Sequence, residues 1–309
     1  MNTDAAVGVQ LTEVTPEPGS DKPDPILKVH RISKSFGGLR AVDVEHLEVQ
    51  RGVVTALIGP NGAGKTTFFN LISGFDTPDT GEWSFNDGSL SGLPAYTIAR
   101  RGMVRTFQLT KALARLTVMQ NMKLGATGQK GENIFRALVP PTWRAQDREI
   151  EERADGLLER FNMAHMRDDF AGELSGGQRK LLEMARALMS RPEMVLLDEP
   201  TAGVNPALKQ SLLGHVREVV EEGTTVMFVE HDMDMVRDIS DWVVVMGEGT
   251  IIAEGPHDAI GRNQTVIDAY LGRHHDQPLT VEEEQAQLEE ADQAIDHSSA
   301  GARDPKDAP

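Results

Sequence analysis

The sequence predicts an α/β fold, a mainly parallel core sheet with helices between its strands and a helical block inserted partway along the chain. Two observations carry this reading. Apolar runs at Val53–Ile58, Met194–Leu197 and Thr225–Val229 are each followed by a helix-like segment, the alternation expected of right-handed crossovers in a parallel sheet. Residues 117–190, lying between two strand-bearing blocks, read as mostly helical.

The chain has 309 residues, enough for one large or two ordinary domains. It has no Cys, which excludes disulfides and thiolate metal sites. No apolar run approaches the length of a bilayer span, and the N-terminus lacks the basic start and apolar stretch of a secretory signal. The expectation is a soluble cytosolic chain that docks on something. Net charge is −17, concentrated at the ends: residues 1–25 supply −4 and residues 275–309 supply −8, leaving −5 for residues 26–274. With no basic stripe to neutralise a phosphate backbone, nucleic acid is not expected as a partner.

Residues 1–25, rich in Pro, Asp, Glu and Thr with little to bury, are expected to be disordered. Leu27–Ile32, Val42–Val49 and Val53–Ile58 read as strands, with Gly37-Gly38 and Arg51-Gly52 as turns. A short strand follows at Glu82–Asn86, a helix at 94–102 opening on Pro94, and a strand at Met103–Gln108. The helical block comprises Val118–Gly125, Arg148–Phe161 and Gly176–Ser190, with Gly128–Pro141 as an irregular break. After the strand Met194–Leu197 come the helix Pro206–Glu221, the strand Thr225–Val229 and the short helix Met233–Ile239. Trp242–Met246 and Thr250–Ala253 make a hairpin over Gly247–Gly249, and short helices run through Leu271. Residues 273–309 are expected to be an acidic, solvated tail.

The most informative stretch is VVTALIGPNGAGKTT, Val53–Thr67. An apolar strand runs into a glycine-rich loop, and the loop into a helix. The match to G-x-x-x-x-G-K-[ST] covers Gly59, Pro60, Asn61, Gly62, Ala63, Gly64, Lys65 and Thr66. The glycines allow backbone angles that turn successive N–H groups into one concavity at a helix N-terminus, which suits phosphate. Lys65 is expected on the β/γ-phosphates, the Thr66 hydroxyl on Mg²⁺, and Thr67 as a further phosphate contact.

MVLLDEP, Met194–Pro200, ends a buried strand on two adjacent acids, a costly arrangement without a cation nearby. Asp198 is expected to hold Mg²⁺, and Glu199 to polarise the attacking water as general base. LSGGQRK, Leu174–Lys180, opens a helix with Ser175 as N-cap. Gly176 and Gly177 expose backbone N–H groups at its positive end, with Gln178 next in line. A second anion site needs a second phosphate, and its economical source is a nucleotide held by another chain. His231, after the strand Thr225–Glu230, is either structural or placed to bond a phosphate oxygen or orient water. Gln108, ending its strand, can orient water or ligate Mg²⁺. Phe36, before Gly37-Gly38, either stacks on adenine or fills the hairpin core. Asn205-Pro206 reads as an N-cap followed by a first-turn proline.

Taken in order, these residues resemble the ATP-binding subunit of an ABC transporter: aromatic Phe36, Walker A at Gly59–Thr66, Gln108 of the Q-loop, the LSGGQ signature at Leu174–Gln178, Walker B Asp198-Glu199 and the switch His231. The resemblance covers residues 26–272. The phrases GLPAYTIARRGMVRTFQ, LISGF, EHDMDMV and VIDAYLG further resemble the subfamily for uptake of branched-chain (hydrophobic) amino acids. The resemblance implies a P-loop NTPase fold of ABC type, with an antiparallel β subdomain and a helical subdomain over about residues 105–190. It implies ATP and Mg²⁺ as ligands and a head-to-tail dimer with a second ATPase chain, identical or paralogous. Ser175, Gly176, Gly177 and Gln178 then serve the partner's ATP. It also implies two transmembrane permease subunits, an indirect link to an extracytoplasmic solute-binding protein, and a peripheral place on the cytoplasmic face of the membrane. Asn205 departs from the Asp that many members carry, keeping the hydrogen bonding without the charge.

Alternatives within transport are an importer of urea or amides, or a lipid exporter. An ATPase of this type acting on DNA or ribosomes is disfavoured. About 110 residues separate Lys65 from Ser175 with no sustained heptad, and the chain carries one such domain.

Overall fold

The computed structural model describes residues 11–106, 113–129 and 141–271. The strand β3 (Val54–Ile58) is buried at every position, so its apolar residues face covering layers on both sides, as a central parallel strand must. It sits in a six-stranded sheet of order β10-β9-β3-β8-β7-β6, with β6 Met103–Arg105, β7 Met194–Asp198, β8 Thr225–Val229, β9 Trp242–Gly247 and β10 Thr250–Gly255. β6, β7, β8, β3 and β9 run parallel, while β10 returns antiparallel to β9. A second, antiparallel sheet has the order β2-β1-β4-β5, from β1 Pro25–Phe36, β2 Leu39–Gln50, β4 Thr80–Phe85 and β5 Gly88–Ser89.

The helix α1 (Lys65–Ile72) follows β3, and its Phe68, Phe69, Leu71 and Ile72 are fully buried. They join one core with Val29, Ile32 and Leu47 from the antiparallel sheet and Leu196, Met227 and Val244 from the parallel sheet. Each large side chain so buried contributes roughly 1.5–3 kcal/mol, so α1 is the element that fastens the two sheets together. Trp83 adds a polar tie, donating from Nε1 to the Ile72 carbonyl at 3.0 Å.

Among the described residues the other α-helices are α2 Ala95–Arg100, α3 Val118–Leu124, α4 Pro141–Arg160, α5 Gly176–Leu188, α6 Pro206–Glu221, α7 Met233–Ile239, α8 His257–Ile260 and α9 Gln264–Leu271. Thr117 caps α3 in a reciprocal box with Gln120.

Away from the site, three expectations differ from the structure. β1 and β2 are longer than their apolar cores, because ladder pairing continues from Phe36↔Leu39 to Pro25↔Gln50 through polar positions. α4 begins at Pro141 rather than Arg148, and proline is tolerated where first-turn N–H groups have no helical partner anyway. Residues 11–24, expected to be disordered, are packed. Leu11 reaches the core, and the Lys22 and Asp24 amides donate to Glu48 Oε2 at 2.6 Å and Gln50 Oε1 at 3.0 Å. Lys22 Nζ lies 4.6 Å from the centre of the Trp242 ring and 3.4 Å from Glu254 Oε2. Composition signalled too little apolar surface, but this strap is held by paired polar groups instead.

Candidate functional site

The neighbouring parallel strands β3, β8 and β7 end at one edge of the sheet, and every described motif of the catalytic type follows one of them. The glycine-rich loop follows β3, His231 follows β8, and Asp198-Glu199 closes β7. This is the carboxyl edge where open α/β sheets bind ligands.

In the loop, Gly59 has φ 147°, and a Cβ there would stand 2.1 Å from the Met246 carbonyl oxygen of β9. Only glycine fits between loop and sheet at this point. The Lys65 ammonium donates to the Gly59 and Pro60 carbonyls at 2.6 and 3.0 Å, so the loop curls around it. α1 has no side-chain cap, which leaves its first-turn N–H groups for another acceptor. Asn61, Gly62 and Thr66 are exposed.

Asp198 is oriented by a residue that the sequence did not reveal. Arg105, at the end of β6, donates to Asp198 Oδ2 at 2.7 Å, to Asn70 Oδ1 at 2.7 Å and to Ser73 Oγ at 3.2 Å. Its side chain is only 6% exposed, so a guanidinium there is tolerable only with such partners. Arg105 thereby locks β6, α1 and β7 together beneath the loop.

Glu199 is exposed and holds φ 45°, a left-handed backbone that costs a non-glycine residue on the order of 1 kcal/mol or more. Its amide donates to Val229 O at 3.0 Å, while its carbonyl accepts from Lys180 Nζ at 3.0 Å. The conformation is therefore fixed from β8 on one side and from α5 on the other.

Glu230 is a second residue whose part was not legible. It is fully buried, and its Oε1 accepts the Thr201 amide at 3.0 Å and hydroxyl at 2.6 Å. Its Oε2 accepts the His231 amide at 3.1 Å. One carboxylate thus ties the loop after Asp198-Glu199 to the start of the His231 loop. The His231 side chain itself is 67% exposed. Asp232 then caps α7, accepting the Met235 amide at 3.1 Å and pairing with Lys209 of α6. The Lys209 hydrogen bond holds the Asp232 carboxyl below its ordinary range.

At the head of α5, Ser175 Oγ accepts the Gln178 amide at 3.3 Å and Gln178 Oε1 accepts the Ser175 amide at 2.8 Å. Gln178 is therefore folded back as the second half of a capping box. The two glycines differ. A Cβ at Gly177 would meet Leu208 Cδ2 at 2.1 Å, whereas one at Gly176 would meet nothing within 4 Å. Asn205 caps α6, accepting the Leu208 amide at 3.0 Å. Phe36 ends β1 with 51% of its surface exposed and Lys34 Nζ 5.4 Å from its ring centre, so it does not fill a hairpin core. Gln108 lies outside the described residues, and β6 ends at Arg105 rather than reaching it.

The donor set suits a nucleoside triphosphate with a hard divalent cation. A glycine-rich loop with a lysine at a helix N-terminus offers donors to phosphate, and Thr66 and Asp198 are the oxygen ligands that could hold the cation. The class is that of a P-loop nucleotide-triphosphate-binding protein. The sequence pattern described as "ABC transporter" matches residues 42–202, and the chain belongs to that family.

The relatives agree. A probable branched-chain amino acid transport ATP-binding protein LivG from Archaeoglobus fulgidus is 41% identical over 247 residues, 80% of this chain and 95% of that protein. The high-affinity branched-chain amino acid transport ATP-binding protein BraF of Pseudomonas aeruginosa is 40% identical over 80% of this chain and 98% of its own length. Among solved structures, a nucleotide-free ATP-binding cassette from an ABC transporter superposes with a TM-score of 0.71 at 37% identity, covering 80% of this chain and 98% of that one. An ADP conformation of such a cassette gives 0.70 at 36% identity, with 80% and 99% covered.

Proposed function

We propose that this chain is the ATP-hydrolysing subunit of an importer of branched-chain amino acids, its cassette extended at the front by the packed strap of residues 11–24, with a helical subdomain near 105–190. The observation that carries the reading is the convergence of Gly59–Thr67, Asp198-Glu199 and His231 on one sheet edge. The names of relatives about 40% identical over most of their length support the substrate class.

In this reading the loop amides and Lys65 cradle the phosphates of ATP, and Phe36 stacks on its adenine. The exposed Phe36 ring supports the latter. Thr66 and Asp198 would hold Mg²⁺, with Gln108 as a further oxygen ligand; when bound, the ion neutralises charge on the phosphate oxygens. Glu199 takes a proton from the attacking water, and His231 hydrogen-bonds the γ-phosphate, giving ADP and phosphate. The strained Glu199 backbone, pinned by Lys180 and Val229, holds that carboxylate in register.

Ser175 to Gln178 would close over the ATP of a second cassette chain in a head-to-tail dimer. The groove between β6, α3 and α5, lined by Val104, Leu124, Gly125, Arg186 and Ala187, would receive cytoplasmic helices of two permease subunits. Leu124, 58% exposed on this groove, supports an apolar partner there. No described helix is long and apolar enough to cross a membrane; in this reading the permeases are separate chains and this subunit sits at the cytoplasmic face.

Two measurements test the proposal. Glu199→Gln should lower Mg²⁺-dependent ATP turnover by about 10²–10⁴-fold while ATP-driven dimerisation persists, and full turnover would remove Glu199 as the base. Deleting the gene should abolish high-affinity uptake of leucine, isoleucine and valine. Unchanged uptake of all three would overturn the substrate class and leave the ATPase reading standing.

A further inference from the structure

The packed N-terminal strap crosses β2 beside a group of side chains that ATP chemistry does not use. His46 of β2 presents its Nε2 atom 3.3 Å from Asp21 Oδ1 of the strap and 3.8 Å from Glu48 Oε1 of β2. The three ligand atoms all lie within 4.8 Å of one another. The His46 Nε2 atom is buried and makes no hydrogen bond. On its other side, His46 Nδ1 lies 3.0 Å from His30 Nδ1 of β1, with the two rings 4.6 Å apart.

Two tautomers satisfy this contact, since either ring can donate its Nδ1–H to the other, and a cation at His46 Nε2 selects one of them. Two Nδ1 atoms at hydrogen-bonding distance need one proton between them. With that proton on His46 Nδ1, His30 accepts it, and His46 Nε2 is left as a bare lone pair facing two carboxylate oxygens. In that tautomer the lone pair and the two carboxylates repel one another, and a cation between them satisfies all three at once. Glu48 is itself buried, and its Oε2 is engaged by the Lys22 amide at 2.6 Å. Asp21, Glu48 and nearby Glu254 bring three negative charges and Lys22 one positive, a balance of −2 that a divalent cation cancels.

We propose that Asp21, His46 and Glu48 form a divalent transition-metal site of Zn²⁺ type, with His30 orienting the His46 ring. An imidazole nitrogen beside two carboxylates suits zinc better than magnesium or calcium, which take oxygen donors. The His46 Nε2 separations of 3.3 and 3.8 Å lie close to the edges of a tetrahedron with bonds near 2.0–2.2 Å, about 3.3–3.6 Å, and the third pair lies within 4.8 Å, so a small side-chain shift completes the geometry. Asp21 is exposed, so water completes the coordination on that side. The metal would staple the strap to the antiparallel sheet, a part of the fold separate from the sheet edge that carries Asp198.

The test uses the full chain, stripped with chelator and kept free of nucleotide, titrated with ZnCl₂ by calorimetry and followed by thermal unfolding. The expected result is one equivalent of Zn²⁺ bound with a rise in Tm. His46→Gln and, independently, Asp21→Asn should weaken that affinity about tenfold or more, leaving Mg²⁺-ATP turnover unchanged. Asp21 is exposed, so its variant keeps the fold even if His46→Gln does not. Zinc affinity equal in wild type and Asp21→Asn, or no Tm shift in wild type, would overturn the site.

Discussion

Two helix N-termini in this molecule are suited to anions, and they are built in opposite ways. α1 carries no side-chain cap, and its loop is pressed against the sheet at Gly59. A Cβ on Gly59 would stand 2.1 Å from the Met246 carbonyl oxygen. α5 is closed by its own capping box of Ser175 and Gln178, and Gly176 in front of it faces open space. The first site is preorganised by the chain's own contacts. The second satisfies itself and offers its outer face. That difference fits the proposed composite site, in which the binding half would be complete in one chain and the closing half stable until another chain arrives.

Substitutions at Gly59 and Gly176 can break this comparison. Gly59→Ala should be the most damaging, because both the left-handed backbone and the carbonyl clash oppose it. A loss of about 2–4 kcal/mol is expected, read as a lowered Tm, with ATP binding lost as well. Gly176→Ala should keep stability, or gain up to about 1 kcal/mol from helix propensity, yet abolish ATP-driven dimerisation. If both variants lose stability alike, α5 is not an open face.

Lys65→Ala should act next. The ammonium now donates to two loop carbonyls, so its removal costs both loop order and a charge-assisted phosphate contact. ATP affinity is expected to fall about 10–100-fold, measured by calorimetry, with Tm nearly unchanged. Unaltered affinity would show that the backbone alone supplies the cradle.

How much of this was legible in the sequence follows from where the information lies. β3, β7, β8 and the glycine loop are local patterns, so the strand–loop–helix unit and the acids of Asp198-Glu199 were readable along the chain. Arg105 and Glu230 were not. Each is a lone charged residue at a strand end, and its meaning comes from partners brought up by other elements. Asn70, Ser73 and Asp198 surround Arg105; Thr201 contacts Glu230. The strap at residues 11–24 was misread for the same reason. Its composition is that of a solvated tail, and its order comes from Glu48, Gln50, Trp242 and Glu254, which no local window contains. Expectations at strand ends failed where ladder pairing, not hydropathy, decided the boundary, as at Pro25 and Phe36.

A third N-terminus sharpens the comparison on the smallest scale. α7, next to His231, is capped by a charged side chain, since Asp232 accepts the Met235 amide and pairs with Lys209. The Lys209 hydrogen bond, more than the amide, depresses the Asp232 pKa. A depressed carboxylate stabilises the fold above its unfolded value near 3.9, and that contribution disappears as pH falls through the lower folded value. Asp232→Asn keeps the cap, because Asn serves as well as Asp at this position, and removes only the titrating pair. At pH 7 the variant should lose a few tenths of a kcal/mol, as for a partly exposed ion pair. Below pH 4 the stability of wild type should fall toward that of the variant. Urea unfolding of both proteins from pH 7 to pH 3 measures this convergence. Curves that stay parallel would mean that Asp232 acts through the cap alone, placing α7 with the self-capped α5 rather than with a charge-held switch.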